Sequence, residues 1–128
     1  MSKSIILIII VASIFWFYFG GKGGEGPVFI TKEEITPEDA VVIVNENGFK
    51  PQELTIKTGT RVVWLNETKT YIWPASNLHP THEIYPEFDP QEPYEPNRAW
   101  VFEFKKTGEW DYHDHLKPNV RGKVIVTE

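Results

Sequence analysis

The four histidines of this 128-residue chain fall into two short pairs, His79-Pro80-Thr81-His82 and His113-Asp114-His115. A neutral imidazole is the commonest metal-binding side chain near neutral pH. Loops that meet at one end of a folded domain would bring the two pairs together, and random placement does not favour such clustering. We therefore predict a metal site with His82, His113 and His115 as ligands and His79 as a further candidate.

Acidic side chains accompany both histidine pairs. Glu83 and Asp89 follow the first pair, and Asp114 lies within the second. We expect each of them to be either a metal ligand or a hydrogen-bonding partner of a histidine ligand. A site that combines imidazole and carboxylate groups suits Cu(II), Zn(II) or iron, and copper binds such ligands most strongly. The expected cofactor is therefore copper, with zinc as the alternative.

Composition excludes several other kinds of chemistry. The chain contains no cysteine, so it has neither a disulfide nor a thiolate that could serve as a metal ligand or a nucleophile. Its formal net charge of −5 argues against nucleic-acid binding, which requires a basic surface. The histidine pairs predict a metal ion as one partner, and the N-terminal segment described next predicts a membrane as the other. The sequence identifies no protein partner.

The first 21 residues have the composition of a membrane anchor. Residues 5–19 are apolar except for Ser13, and they end in an aromatic cluster of the kind found at membrane–water interfaces. A spanning helix needs about 20 residues, with about 17 as the lower limit, and the run reaches this length with its flanking residues. Cleavage as a signal peptide is the alternative, although bulky aromatics occupy the positions where small residues would be needed. Lys3 predicts a cytoplasmic N-terminus and an extracytoplasmic domain.

The remaining chain is predicted to form a glycine-rich linker over residues 22–27 and one all-β domain over residues 28–128. Short segments of alternating or β-branched apolar residues recur between glycine-containing turns, with one helical turn expected within residues 31–40. This pattern indicates a β-sandwich. The predicted strands cover residues 28–30, 41–44, 53–57, 61–66, 99–105, 109–112 and 123–127.

Three groups of residues resemble the cupredoxin family. They are Phe49-x-Pro51-x-x-Leu54-x-Ile56-x-x-Gly59-Thr60-x-Val62-x-Trp64-x-Asn66, Phe102-x-Phe104-x-x-x-Gly108-x-x-x-Tyr112 and Gly122-x-Val124-x-Val126. The resemblance covers residues 41–128 and implies a Greek-key β-sandwich or barrel of cupredoxin type, here preceded by the predicted transmembrane helix.

The resemblance also implies a copper site formed by His, Cys, His and Met, but none of these residues stands at the corresponding position. Matching the motifs without gaps places Ile72 at the first histidine, Asp114 at the cysteine, Lys117 at the second histidine and Val120 at the methionine. Without a thiolate there is no blue-copper site of the usual kind. We expect the fold to be retained and the two histidine pairs to supply a different chemistry.

Strand geometry raises one question about the second histidine pair. In a regular strand Tyr112 and Asp114 share one face, while His113 and His115 lie on the other. If Tyr112 faces the core, a buried Asp114 needs a partner, since an unpaired carboxylate is costly to bury. Two solutions stay open: the strand ends near Tyr112, or the first histidine pair crosses the rim to meet the second.

Three functions follow from these observations. The one we favour is a membrane-anchored, extracytoplasmic domain that binds a transition metal through a thiolate-free histidine site, in metal handling or redox chemistry. The second is a metal-free scaffold that acts as a protein-interaction module at the cell surface, with the histidines and Asp114 as a hydrogen-bonded loop clamp. The third is a small metalloenzyme with an open coordination position, which ranks last because nothing in the sequence positions a substrate.

Overall fold

The computed structural model describes residues 26–128. The predicted membrane anchor, residues 1–21, lies outside this range, as do residues 22–25 of the predicted linker. Within the described range, no helix is both long enough and apolar enough to cross a membrane. The anchor therefore stays a prediction.

Residues 26–128 form two packed β-sheets, which confirms the predicted all-β sandwich. The strands are β1 (Val28–Thr31), β2 (Ala40–Asn45), β3 (Gly48–Lys50), β4 (Glu53–Lys57), β5 (Arg61–Asn66), β6 (Pro74–Ser76), β7 (Arg98–Glu103), β8 (Gly108–Asp114) and β9 (Lys117–Thr127). One sheet has the order β1-β7-β5-β2-β3 and the other the order β4-β9-β8-β6. A short 3-10 helix, Lys32–Glu34, follows β1.

Strand β5 alternates between two apolar clusters. Val62 and Trp64 belong to the core between the sheets, whereas Val63 and Leu65 belong to a smaller cluster on the outer face. Ile35, which follows the 3-10 helix, packs against that outer cluster. A strand with both faces covered is apolar at successive positions, and this explains the unbroken apolar run in β5.

Aromatic side chains dominate the core between the sheets. Trp64 stacks on Trp100 with ring centroids 5.0 Å apart, and Phe88 lies 5.2 Å from Trp64 and 5.6 Å from Trp100. Tyr112 of β8 meets Trp64 edge-on at 5.7 Å. Each buried aromatic side chain removes about 150–250 Å² from water, so these four supply much of the burial that stabilises a domain without disulfides.

The long connection between β6 and β7 is fastened to this core. Its residues Tyr85 and Phe88 are buried, and the backbone N–H of Ser76 donates a hydrogen bond to the Phe88 carbonyl oxygen at 2.8 Å. The same connection carries His79 and His82. The structure thus holds the first histidine pair on a segment with its own anchors in the core.

The last two strands differ from the prediction. Strand β9 begins at Lys117, so the region predicted as a loop after residue 112 is a hairpin in which Asp114 pairs with Lys117. Strand β9 can run beside β8 because Gly122 leaves room for an aromatic ring, since a Cβ there would lie 2.5 Å from Cζ of Tyr112. Strands β3 and β6 are absent from the prediction because three residues are too few to show a periodic pattern.

Candidate metal centre

Strand β6 brings the two histidine pairs together. It pairs with β8 so that Ala75 lies opposite His113. The chain leaves β6 at Asn77, whose backbone N–H donates to the carbonyl oxygen of Asp111 in β8 at 3.1 Å, and His79 and His82 follow within five residues. The first histidine pair therefore crosses the rim of the sandwich and meets the second pair, which is one of the two arrangements that the sequence left open.

The four histidines form one group that could hold a metal ion, with candidate ligand nitrogens all within 4.8 Å of one another. Nδ1 of His79 lies 3.2 Å from Nε2 of His113, and Nε2 of His82 lies 3.1 Å from Nδ1 of His115. Nitrogens bound at about 2.0–2.1 Å to a tetrahedral ion are about 3.3 Å apart. Two of the separations are close to this value and the others lie within 4.8 Å, so the rings would draw closer around a four-coordinate ion.

Two of the imidazoles are oriented by oxygen acceptors. Nδ1 of His82 lies 2.8 Å from Oδ2 of Asp89, and Nδ1 of His113 lies 2.8 Å from Oδ1 of Asn77. Because both oxygens accept, each Nδ1 carries the proton and donates it. Nε2 of each ring is then left with a free lone pair, directed toward the centre of the group. Such outer partners fix the orientation of metal-binding histidines.

Burial favours the neutral form of both histidines in the second pair. It is the main cause that lowers the pKa of His113 from 6.5 to about 4, and the neighbouring imidazoles of His82, His79 and His115 act in the same direction. Burial also lowers the pKa of His115, again with contributions from His82 and His79. A neutral imidazole is the form that binds a metal, so both rings are ready to bind without first losing a proton.

Trp73 positions His115. The backbone N–H of His115 donates to the carbonyl oxygen of Trp73 at 2.7 Å, and the two rings lie 4.5 Å apart. The indole N–H of Trp73 in turn donates to Oδ1 of Asp89 at 2.7 Å. Trp73 therefore links His115 to Asp89 and holds one histidine of the group in place.

Asp114 is buried but lies outside the four-histidine group. Its Oδ1 accepts hydrogen bonds from the backbone N–H groups of Trp73 and Leu116, each at 3.0 Å. The β8–β9 register shifts between His113 and Asp114, and His115 lies in the turn beyond the strand. Simple alternation therefore no longer applies at the histidines, and Asp114 clamps the turn that presents His115.

The other two acidic candidates have different surroundings. Asp89 touches His82 and Trp73, so it lies beside the histidine group as a hydrogen-bonding partner. Glu83 is exposed and lies outside that group. Asn77 is a site residue that the sequence analysis missed, and its position just before the first histidine pair was the one available signal.

The backbone of His82 is unusual. Its φ of 55° lies in the left-handed region, which is uncommon for residues other than glycine. Such residues persist only where their surroundings hold them, and they cluster at functional sites. Here the bond from the His82 ring to Asp89 and the backbone bond from His82 N–H to the Leu78 carbonyl, at 2.6 Å, hold it.

The positions that the cupredoxin resemblance assigns to copper ligands do not form a site. Ile72 is 2% exposed, packs in the core and forms an isolated bridge with Tyr94. Lys117 is exposed, and Val120 is half-buried and packs against the core. The residues that could bind a metal thus stand at other positions of the same fold.

Known proteins resemble this chain along most of its length. The family described as a cupredoxin-like domain matches residues 7–126. Amicyanin from Paracoccus versutus is 27% identical over 124 residues, which cover 91% of this chain and 92% of that protein.

Solved structures of amicyanin share the fold. A reduced Pro-to-Phe variant gives a TM-score of 0.68 at 24% identity, over 81% of this chain and 94% of the amicyanin chain. An oxidised Met-to-Leu variant gives the same TM-score, identity and coverage. At this identity the likeness shows the fold alone. Together with the match over residues 7–126, it shows that the chain belongs to the cupredoxin-like domain family, with a cysteine-free cluster of four histidines.

Proposed function

We propose that this domain binds one transition-metal ion through His79, His82, His113 and His115. The observation that carries the proposal is the convergence of four imidazole nitrogens within 4.8 Å. Copper is the expected metal, because among divalent first-row ions it binds nitrogen ligands most strongly, and zinc is the alternative. The proposed role is metal handling or redox chemistry.

The surroundings of the four histidines favour metal binding over a chance grouping of side chains. Burial and the neighbouring imidazoles lower the pKa of His113 and of His115, which favours neutral rings in the second pair. Neutral rings whose outer nitrogens are bound by Asp89 and Asn77 expose lone pairs toward a common centre. A copper ion there would supply one-electron redox chemistry, and a zinc ion would not.

We further propose that residues 1–21 anchor the protein in a membrane and that the domain lies on the extracytoplasmic side. The support is the apolar run over residues 5–19, its aromatic end and the single preceding charge at Lys3. Membrane fractionation tests the anchor, and accessibility of the domain to protease added outside intact cells tests the side.

A metal-free scaffold is the second candidate, and the histidine separations favour it too. Contacts of 3.1 Å and 3.2 Å between ring nitrogens are also hydrogen-bond distances. With Nε2 of His82 and His113 as acceptors, Nδ1–H of His115 and His79 can donate to them. The cluster would then join two loops without a metal, and the domain would present a fixed surface to a protein partner.

Metal stoichiometry separates the two candidates. The full chain, purified in detergent, is loaded with Cu(II) or Zn(II), and bound metal per chain is measured after removal of excess. We expect one ion per chain, and a large loss in His82→Ala and in His113→Ala. Glu92→Gln is the control, because Glu92 is exposed and lies in the same connection outside the histidine group. Absence of specific binding, or binding that both histidine changes leave intact, refutes the metal proposal and supports the scaffold.

A further inference from the structure

The four histidines are held to very different degrees. His82 and His113 are 4% and 2% exposed, and each has its Nδ1 bound by an oxygen acceptor. His115 is half-buried and is held by the backbone and the ring of Trp73. His79 is exposed, and among residues 26–128 its ring forms a hydrogen bond only with His113.

The backbone at His79 is also less constrained than the backbone on either side of it. The chain is fixed on both sides of it, by the bond from His82 N–H to the Leu78 carbonyl and by the bond from Ile84 N–H to the Asn77 carbonyl, at 3.0 Å. His79 lies inside the turn that these bonds close, and no backbone hydrogen bond of its own is found within the described range. Its ring is thus positioned by its contacts with the other histidines, and little else opposes its movement into solvent.

A metal bound by these four rings would have one side buried and one side open. His82 and His113 lie on the buried side, where their outer partners set their orientation. His79 lies on the solvent side, between Leu78 and the rest of an exposed turn, and Leu78 itself is 56% exposed. A donor molecule approaching from solvent can reach the coordination position of His79 without displacing any part of the core.

We propose that His79 is the exchangeable ligand of this site, and that its coordination position accepts an external monodentate nitrogen donor. This inference rests on the proposed metal binding. In the exchange the bond between the metal and His79 Nδ1 breaks, the entering nitrogen forms a bond with its own lone pair, and the metal keeps its oxidation state. The three remaining histidines hold the ion, and metal is loaded and released from the His79 side.

Loss of a hydrogen-bonding partner of a metal-binding histidine lowers metal affinity about 10–100-fold. Removal of the histidine itself should lower metal affinity by at least as much. His79 has no such partner among the described residues. We therefore expect His79→Ala to lower Cu(II) affinity by less than about tenfold, and His113→Ala to lower it by more than about 100-fold. Release of copper to a competing chelator should be faster in His79→Ala than in the wild type.

The test uses the full chain in detergent, loaded with Cu(II), and azide as the external donor. We expect azide to change the optical and paramagnetic resonance spectra of His79→Ala at lower concentration than those of the wild type. If His113→Ala does not fold, His115→Ala takes its place, and its affinity loss should still exceed that of His79→Ala.

The outcomes also distinguish this inference from the proposed function. A wild-type chain that binds no copper refutes both. A wild-type chain that binds copper, with His79→Ala losing as much affinity as His113→Ala or remaining indifferent to azide, refutes the exchangeable ligand and leaves the four-histidine site standing.

Discussion

The carboxylate of Asp89 binds the ring of His82 through Oδ2 at 2.8 Å, and its Oδ1 accepts the indole N–H of Trp73 at 2.7 Å. Trp73 in turn holds His115 by a backbone hydrogen bond and a ring contact. One carboxylate therefore positions one histidine of each pair. The arrangement joins the β6–β7 connection to the β8–β9 turn, so the geometry of the cluster depends on a residue outside it.

Replacing Asp89 tests this dependence. In Asp89→Asn an amide N–H₂ must face either the His82 ring N–H or the Trp73 indole N–H, so one of the two hydrogen bonds is lost. We expect metal affinity to fall about 10–100-fold with all four histidines present. Competition titration with a chelator measures the change, and Glu92→Gln should match the wild type. Equal affinity in Asp89→Asn and the wild type contradicts the positioning role.

Acidification should destabilise the metal-free protein through His113. Its folded-state pKa of about 4 lies below the ordinary 6.5, so between these values the unfolded chain binds a proton that the folded chain does not. The free energy of unfolding is therefore highest above pH 6.5. It falls by up to about 3 kcal/mol as the pH approaches 4. Urea unfolding across this interval measures the slope.

The His113→Gln variant isolates this contribution, because it removes the titrating group and leaves the carboxylates in place. We expect its stability to depend less on pH than that of the wild type over the same interval. If the free energy of unfolding changes with pH by the same amount in both proteins, groups other than His113 cause the pH dependence.

Phe88→Ala should weaken both the fold and the metal site. Phe88 is fully buried against Trp64 and Trp100, and truncation of a core Phe costs about 3–5 kcal/mol. The same change loosens the connection that carries the first histidine pair, so metal affinity should fall as well. Chemical unfolding and chelator competition measure the two effects.

The control for Phe88→Ala is Glu87→Ala, its neighbour in the chain. Glu87 and Lys106 form a surface ion pair at 3.8 Å, and such pairs contribute about 0–1 kcal/mol. We expect Glu87→Ala to stay close to the wild type in both measurements. A Phe88→Ala protein that is destabilised but binds metal with unchanged affinity would show that the loop holds its shape without this anchor.

Gly122→Ala tests the close contact between β9 and the Tyr112 ring. The added Cβ would lie 2.5 Å from Cζ of a core side chain, so backbone or ring must shift. Overpacking of this kind costs about 1–3 kcal/mol. Gly26→Ala is the matched control, since within residues 26–128 no atom beyond its chain neighbours lies within 4 Å of the added Cβ. Equal stability of the two variants in thermal unfolding would rule out the steric conflict.

The colour of the copper-loaded protein is a further prediction. The chain has no cysteine, so Cu(II) cannot form the copper–thiolate bond of a blue-copper centre. We expect only weak visible absorption from a nitrogen-coordinated ion. An intense blue band in the loaded protein would contradict a site made of histidines alone.

Local sequence determined much of the sandwich. Strands β4 and β5 lie at their predicted bounds, because alternation in β4 and the apolar run in β5 depend on which faces are buried. Absence of thiolate chemistry also follows from composition alone. The grouping of the histidines into two pairs predicted a shared site, and the structure brings those four rings together.

Tertiary structure decided how the site is built. Strand β6 has no periodic pattern, yet its pairing with β8 places the first histidine pair beside the second. The register shift at His113 and Asp114 sends Asp114 to the backbone of Trp73 and Leu116, and no local rule predicts such a shift. Asn77 and Asp89 acquire their roles because distant segments meet there. Hydrogen bonds between segments far apart in the chain depend on packing, which local sequence patterns do not encode.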